Sequence, residues 1–304
     1  MNTRRILVLG GTGMIGSTIA ATLAARGDDV TIGSRRGPDE RDPQQIGELP
    51  RLLGDYAEGG FAEEELSGFD AVVMSAGQDI RHVKADEEDD AYWAKVQGEG
   101  VPALAARAKA AGVARFVQIG SYYHQLMPEL AEQIPYVRAR RDADDGARAL
   151  ADETFAPITL NPPSIVGVAT PRARRGFAKM AQWLRGEAGA EPWAPEGGTN
   201  YMSVESLTQA VIGALDRGEG GKAYLIGDES LAYRDYFQRI IDLTGGTNSL
   251  EVRDEEHPLQ PDRFIVQGRG ATIAYEPDPA EVELLGYDRQ DVTRALTAIF
   301  ATEG

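Results

Sequence analysis

The sequence predicts an α/β protein, with a doubly wound parallel sheet and a smaller C-terminal substrate lobe. Short apolar runs alternate with helical patterns through the first half of the 304-residue chain, which is typical of parallel sheets covered by helices. The first apolar run, residues 6–9, passes through a glycine-rich turn into a helical pattern that ends at Gly27. From about Gly167 the alternation loosens, so a second lobe is expected there.

The turn after the first apolar run carries Gly10, Gly13 and Gly16. One glycine of such a turn allows the tight bend, another lets the backbone approach a pyrophosphate, and another lets the helix pack close to the strand. The free N–H groups and the positive dipole end of the following helix complete an anion site, so Met14 and Ile15 are included in it. The turn therefore predicts a Rossmann-type cofactor site.

The end of the second predicted strand indicates which cofactor is used. A site for NAD usually has Asp or Glu about 20 residues after the glycines, on the ribose 2′-OH. Here Ser34 and Arg35 take that place, Arg36 follows, and the first acid is Asp39. A guanidinium would pair with a 2′-phosphate, and such charge-assisted bonds contribute about 1.5–3 kcal/mol each. NADP(H) is therefore favoured over NAD(H), the alternative being that both arginines are solvated surface charges.

The composition excludes several classes of function. Lys and Arg number 31 against 48 Asp and Glu, a net charge of −17, which disfavours nucleic acid and anionic membrane as partners. There is no cysteine, and the three histidines are too scattered for a zinc site, so no metal is expected. No signal peptide or membrane-length apolar run is evident. We expect a cytoplasmic protein that acts on a small-molecule substrate.

The remaining elements follow from the same patterns. Strands are predicted over residues 30–32, 51–53, 71–74, 115–119, 157–160 and 223–226, and helices over residues 17–26, 92–111, 136–151, 204–215, 233–243 and 292–301. The rest of the C-terminal portion is expected to form loops.

Residues 1–166, with 198–228 returning to them, are expected to form the dinucleotide-binding domain, and residues 167–197 and 229–304 the substrate lobe. Ligands bind at the carboxyl ends of strands in such sheets.

These features resemble the extended short-chain dehydrogenase/reductase family, of the NAD(P)-dependent epimerase/dehydratase type, over nearly the whole chain. The resemblance rests on the glycine turn, the Gly54-Asp55 pair, the segment 97–120 that leads into Ser121, and the motifs at 161–167 and 201–204. It implies a cofactor site in which the adenine lies near Asp55 and Tyr56, the ribose and diphosphate near Ser75, Ala76 and Gly77, and the nicotinamide near Pro163 and Ile165.

The family's catalytic group is a Ser or Thr, a Tyr, and a Lys four residues after that Tyr. The matching residues here are Ser121, Tyr136 and Arg140. In the family the Tyr is the general acid or base and the Lys lowers its pKa, which is about 10 when unperturbed. Arginine keeps the charge but cannot give up a proton to a relay. Tyr122, Tyr123 and His124 remain rival proton donors.

Several departures weaken a nucleotide-sugar function. Sugar-nucleotide members usually carry Asn, Arg, Asp and Asn where this chain has Ser164, Asn161, Ser206 and Gln97. The resemblance therefore implies first an NADP(H)-dependent reductase or dehydrogenase acting on a ketone or secondary alcohol of a small molecule. The alternatives are an epimerase/dehydratase of nucleotide sugars that retains its cofactor, and a non-catalytic NADP(H)-sensing module.

Two further questions stay open at this level. The basic stretch 172–185 either receives an anionic substrate group or is a solvated helix face. The helix predicted over 136–151 is highly charged for the core of an interface, so the protein is expected to be a monomer or a homodimer.

Overall fold

The computed structural model describes residues 3–77, 79–83, 90–189 and 191–301, and the chain forms two compact units. Unit 1 consists of Met1–Pro162, Leu207–Ile226 and Asp278–Tyr287, and unit 2 of Pro163–Ser206, Gly227–Pro277 and Asp288–Gly304. This division differs from the predicted domain boundaries at residues 163–166, 198–206, 227–228 and 278–287. The functional roles predicted for the two parts stay predictions.

Unit 1 is built on a seven-stranded parallel sheet, which confirms the predicted fold class. Its strands are β1 (Arg5–Leu9), β2 (Asp29–Ser34), β3 (Arg51–Leu53), β4 (Ala71–Met74), β5 (Arg115–Ile119), β6 (Ala156–Asn161) and β10 (Ala223–Leu225), in the order β10-β6-β5-β4-β1-β2-β3. Its helices are α1 (Met14–Ala25), α2 (Glu63–Leu66), α3 (Asp90–Trp93), α4 (Gly100–Ala110), α5 (Tyr123–Leu126), α6 (Glu129–Gln133), α7 (Pro135–Arg148), most of α9 (Val204–Arg217) and α11 (Pro279–Leu285).

The central strands are apolar because both faces of the sheet are covered. Every residue of β4 and the last four of β1 are buried, as expected for strands packed between helices. The chain adds β2 and β3 on one side of β1, then returns to place β4, β5 and β6 on the other. Strand order therefore reverses between β1 and β4, which is where ligands bind in such sheets.

The described part of unit 2 contains two small sheets and three α-helices. Its strands are β7 (Ser164–Val166), β8 (Trp193–Pro195), β9 (Gly198–Ser203), β11 (Glu229–Ala232) and β12 (Glu251–Arg253), paired as β11-β9-β7 and β12-β8. Its helices are α8 (Pro171–Leu184), α10 (Tyr233–Leu243) and α12 (Val292–Phe300). Tyr201 stacks on Tyr236 with ring centroids 4.2 Å apart, inside an apolar core that α10 and α12 share.

The helix predicted over 92–111 is interrupted in the structure. A π-helical turn, Ala94–Glu99, separates α3 from α4. The Tyr56 hydroxyl donates to the carbonyl oxygen of Val96, inside this turn, at 2.6 Å. The π-helical turn is thus the place where a side chain from another part of the chain binds the helix backbone.

The prediction that the C-terminal portion beyond 243 forms only loops before its last helix was wrong. Helix α11 begins with Pro279 in its first turn, where a missing N–H costs nothing. Asp278 caps it by accepting from the backbone N–H of Ala280 at 2.8 Å, and the helix ends at Gly286 with φ +68°. The three-residue strands β8 and β12 were also missed.

Candidate active site

The glycine turn lies against the end of β4, at the reversal of strand order. Gly10 has φ +77°, and a Cβ there would lie 2.6 Å from the backbone nitrogen of Ala76. A Cβ on Gly16 would lie 2.4 Å from the carbonyl oxygen of Gly10. A Cβ on Gly13 would meet the Gly10 oxygen at 3.4 Å, an ordinary van der Waals contact, and Gly13 is exposed. Gly10 and Gly16 thus serve close packing, whereas Gly13 is accessible to a ligand.

The first turn of α1 is free to bind an anion. Gly13 is the N-cap, no side chain caps the helix, and Met14 and Ile15 follow with partial exposure. On the facing strand end the Ser75 hydroxyl donates to the carbonyl oxygen of Leu9 at 2.6 Å, which joins β4 to β1. Backbone N–H groups, the helix dipole and the space at Gly13 fit a dinucleotide diphosphate.

The two arginines after β2 are not equivalent. Arg36 donates to the Asp42 carboxylate at 2.5 Å, and Arg51 donates to the other oxygen of Asp42 at 2.8 Å. Arg35 is exposed and has no ion pair among the described residues. The Ser34 hydroxyl donates to the Arg36 carbonyl oxygen at 2.6 Å and so shapes this loop. Arg35 is therefore the cation left available for a ligand.

Asp55 and Tyr56 both have structural contacts of their own. Asp55 accepts from the backbone N–H of Ala57 at 3.1 Å and caps a 3₁₀ turn. Tyr56 is buried, and its hydroxyl contacts the carbonyl oxygens of Val96 at 2.6 Å and Ala76 at 3.1 Å. Its hydroxyl is thereby held by the protein itself, and the predicted place beside an adenine stays a prediction for both residues.

Tyr136 and Arg140 lie one turn apart on the buried face of α7. The Arg140 Cζ is 5.4 Å from the Tyr136 ring centroid, and its guanidinium donates to the carbonyl oxygen of Ile119, at the end of β5, at 3.4 Å. A Cβ on Gly77 would lie 3.0 Å from the same guanidinium. Arg140 therefore joins Tyr136 to the ends of β4 and β5, which brings these predicted residues together.

Burial and charge act on Tyr136 in opposite directions. The phenol is 3% exposed, and its ring meets that of Trp93 edge to face at 5.0 Å. Burial raises the pKa of Tyr136, while the charge and hydrogen bond of Arg140 lower it, and the net pKa lies above the ordinary value. Arg140 therefore lowers the pKa of Tyr136, as predicted, but burial raises that pKa by more.

A charged pair that the sequence did not single out lies close to this tyrosine. Arg81 holds Asp79 through two contacts, at 2.6 and 3.2 Å. Burial raises the pKa of Asp79, but the hydrogen bond and charge of Arg81 outweigh it and hold that pKa at about 2. The charges of both residues act on the Tyr136 phenol. Their place shortly after the predicted strand 71–74 is the sequence feature by which they could have been found.

Ser121 and its neighbours occupy the end of β5. Its backbone N–H donates to Asn161 Oδ1 at 2.8 Å. Tyr122 is buried, Tyr123 is half-buried, and their ring centroids are 4.3 Å apart. The His124 side chain is only 6% exposed, with its Nε2 2.8 Å from the Asp144 carboxylate. The Nε2 atom of His124 is thus engaged with Asp144, and its role as a rival proton donor stays a prediction.

Pro163 and Ile165, which the resemblance places near the nicotinamide, belong to unit 2. Ile165 lies in β7, which pairs in parallel with β9. Within the described residues, no helix has the length and apolar character to cross a membrane, and no group of His, Cys, Asp and Glu is arranged for a metal ion.

A parallel sheet with a glycine cradle at its reversal point defines a Rossmann-type dinucleotide-binding protein. The model of the NAD dependent epimerase/dehydratase family matches residues 6–227. A Streptomyces relative, named 3-diazoavenalumate denitrifying reductase, is 29% identical over 245 residues, covering 74% of this chain and 76% of the relative.

Solved structures share the fold over almost the entire chain. The crystal structure of gox2253 has a TM-score of 0.75 and 20% identity, covering 97% of this chain and 96% of that one. WbmG of Bordetella bronchiseptica, solved in complex with NAD, has a TM-score of 0.73 and 17% identity, covering 98% of this chain and 94% of that one.

The chain belongs to the NAD-dependent epimerase/dehydratase family, within the extended short-chain dehydrogenases/reductases. This confirms the resemblance seen in the sequence. The protein is an NAD(P)-dependent enzyme of that type, so the non-catalytic alternative is set aside.

Proposed function

We propose that this enzyme is an NADP(H)-dependent reductase or dehydrogenase acting on a ketone or secondary alcohol of a small organic molecule. Tyr136 supplies the proton, Ser121 holds the substrate oxygen, and Arg140 takes the place of the usual lysine. The observation that carries this proposal is the position of Arg140, which reaches Tyr136, the Ile119 carbonyl and the Gly77 backbone at once.

A bound nicotinamide would supply the hydride in reduction and accept it in oxidation. In reduction the Tyr136 hydroxyl would give its proton to the carbonyl oxygen, while the Ser121 hydroxyl would donate a hydrogen bond to the same oxygen. A phenol with a raised pKa is protonated at neutral pH, so Tyr136 holds the proton that this step needs. The charge of Arg140 would stabilise the phenolate that remains.

The cofactor contacts are part of the same proposal. The diphosphate is held at the first turn of α1, and the 2′-phosphate by Arg35, which forms no ion pair with the residues that the structure describes. The other residues assigned to the cofactor are Ser34, Arg36, Asp55, Tyr56, Ser75, Ala76, Gly77, Pro163 and Ile165. The predicted cytoplasmic location and the choice between monomer and homodimer stay predictions.

The test is NADPH oxidation with a panel of small ketones and aldehydes, comparing the native enzyme with Tyr136→Phe, Tyr123→Phe and Arg140→Lys. Since general acid catalysis contributes about 10²–10⁴-fold, Tyr136→Phe should lower kcat by at least about 100-fold, whereas Tyr123→Phe should have little effect. Arg140→Lys should keep measurable activity because it keeps the charge. Full turnover by Tyr136→Phe would refute the assignment. The name of the Streptomyces relative adds a diazo compound to the panel.

A second candidate is an epimerase or dehydratase of nucleotide sugars that retains its cofactor. The observation in its favour is α8, where Arg172, Arg175 and Lys179 are exposed and have no ion pair among the described residues. It requires nicotinamide cofactor to co-purify with the protein and UDP-sugars to raise its melting temperature. Absence of both effects would eliminate it.

A further inference from the structure

A buried polar network lies directly behind Ser121, made of residues to which the proposed reaction gives no role. Asp144, on α7, is fully buried. Its Oδ2 atom contacts His124 Nε2 at 2.8 Å and accepts from Asn161 Nδ2 at 3.2 Å, while Arg148 donates to Oδ1. The network therefore joins α7, the turn after β5 and the end of β6.

The orientation of the Asn161 amide follows from its neighbours. A carboxylate only accepts hydrogen bonds, so Asn161 must turn its NH₂ group toward Asp144. Its Oδ1 then accepts from the Ser121 backbone N–H, at 2.8 Å. A Cβ on Gly120 would lie 2.0 Å from this oxygen, so the approach requires a glycine there. Asn161 is itself fully buried, with its NH₂ group also donating to Gln125 at 2.9 Å.

The same reasoning fixes the tautomer of His124. Because Asp144 can only accept, His124 must carry its proton on Nε2. Burial raises the pKa of Asp144, but the hydrogen bonds from His124 and Arg148 outweigh it, and the pKa lies below its usual range. The carboxylate therefore stays ionised at neutral pH. Because an ionised carboxylate only accepts hydrogen bonds, the groups around it must all turn their N–H bonds toward it.

We propose that His124, Asp144 and Asn161 are positioning residues, a hydrogen-bond relay that fixes the backbone at Ser121 and with it the direction of the serine hydroxyl. Each link has one chemically permitted orientation, from the histidine donor through the carboxylate and amide to the serine N–H. The use of this relay in catalysis rests on the proposed function, in which Ser121 holds the substrate oxygen.

The relay is tested by hydrogen–deuterium exchange at the Ser121 amide of the full-length protein, with no cofactor or substrate added. His124→Phe removes the donor and keeps a ring, whereas His124→Gln places an amide donor near the position of Nε2. We expect exchange to accelerate at least about tenfold in His124→Phe and to stay close to native in His124→Gln. Arg141→Gln, on the same helix but paired with Glu132 outside the network, is the matched control and should also stay native.

Two outcomes would overturn the relay. If the Ser121 amide of His124→Phe exchanged at the native rate, His124 would not act on Ser121. If His124→Phe and His124→Gln accelerated the exchange equally, His124 would contribute by packing alone and not by its hydrogen bond. Should these variants fold poorly, ¹⁵N NMR of the native imidazole decides, because an Nε2 atom that carries no proton contradicts the required hydrogen bond to Asp144. Unchanged turnover in Ser121→Ala would instead refute the proposed role of Ser121, and neither relay measurement depends on that role.

Discussion

Helices α7 and α8 have the same length, 14 residues, and both begin with proline and carry several arginines. In unit 1, α7 buries Tyr136, Arg140 and Asp144 on the face turned to the sheet. In unit 2, α8 buries only Ala181 and Leu184 and leaves most of its cations in solvent. The two helices carry the same number of cations, but only α7 also carries acidic residues, and the helices differ in whether their charges find partners inside the fold.

The partners explain the difference. Asp144 is surrounded by donors from α5, β6 and α7 itself, so its burial is compensated. On α8, Arg174 donates to the carbonyl oxygen of Ala298 at 3.0 Å, near the end of α12, where a cation also suits the helix dipole. Arg172 and Arg175 are exposed instead.

The largest effect is expected for Asp144→Ala. Removing a buried carboxylate leaves His124, Asn161 and Arg148 without their shared acceptor, and breaking such a buried pair costs about 3–5 kcal/mol. Urea denaturation should show this loss in the free energy of unfolding. Asp142→Ala, at a half-exposed position on the same helix, is the control and should lose less than about 1 kcal/mol. Comparable losses in both variants would remove the distinction between buried and exposed charges on α7.

Arg35→Ala tests whether a ligand uses an exposed charge. If Arg35 holds the 2′-phosphate, the variant should raise the Kd for NADPH at least about tenfold and leave that for NADH unchanged. Nicotinamide fluorescence measures both. Arg41→Ala is the control, since Arg41 is bound to Asp39 at 2.6 Å in the same loop. Equal affinity of the native enzyme for NADPH and NADH would make Arg35 a surface charge like those of α8.

His257, in unit 2, is a buried histidine whose two ring nitrogens bind neutral backbone groups. Its Nε2 donates to the Trp193 carbonyl oxygen at 3.0 Å, and its Nδ1 accepts from the Leu259 N–H at 3.2 Å. Burial lowers its pKa, so the neutral form is favoured in the folded state. Its contribution to stability is complete above its unfolded pKa of about 6.5 and is lost as the pH falls toward the lower folded value.

Unfolding titrations between pH 8 and pH 5 check this pH dependence. The native protein should lose more stability over that interval than His257→Gln, by about 1.4 kcal/mol for each unit of pKa difference between the folded and unfolded states. Parallel pH profiles for the two proteins would contradict the interpretation.

The smallest effect is expected on α8 itself. Arg175→Gln and Lys179→Gln should each change the free energy of unfolding by less than about 0.5 kcal/mol, because both side chains are solvated. Thermal or urea denaturation is sufficient to measure it. A loss above about 1 kcal/mol would mean that α8 resembles α7 in depending on its charges.

Local patterns in the sequence determined a large part of the fold. Strands β3, β4 and β5 and helix α10 begin and end where the sequence predicted, because apolar runs and helical spacing are properties of neighbouring residues. The glycine turn was recognisable for the same reason and predicted the cofactor-binding fold. The candidate catalytic residues Tyr136 and Arg140 came from the resemblance to the family, whose Tyr and Lys have the same spacing.

The tertiary structure decided which charges have partners. Asp42 binds Arg36 and leaves Arg35 available, and Asp144 binds His124 from 20 positions away. In unit 2, Asp291 accepts from the hydroxyl of Ser206, which brings a carboxylate from a distant segment next to that side chain. These contacts join groups far apart in the chain. Their strength depends on burial and distance, which are set when the elements pack together and which no local pattern contains.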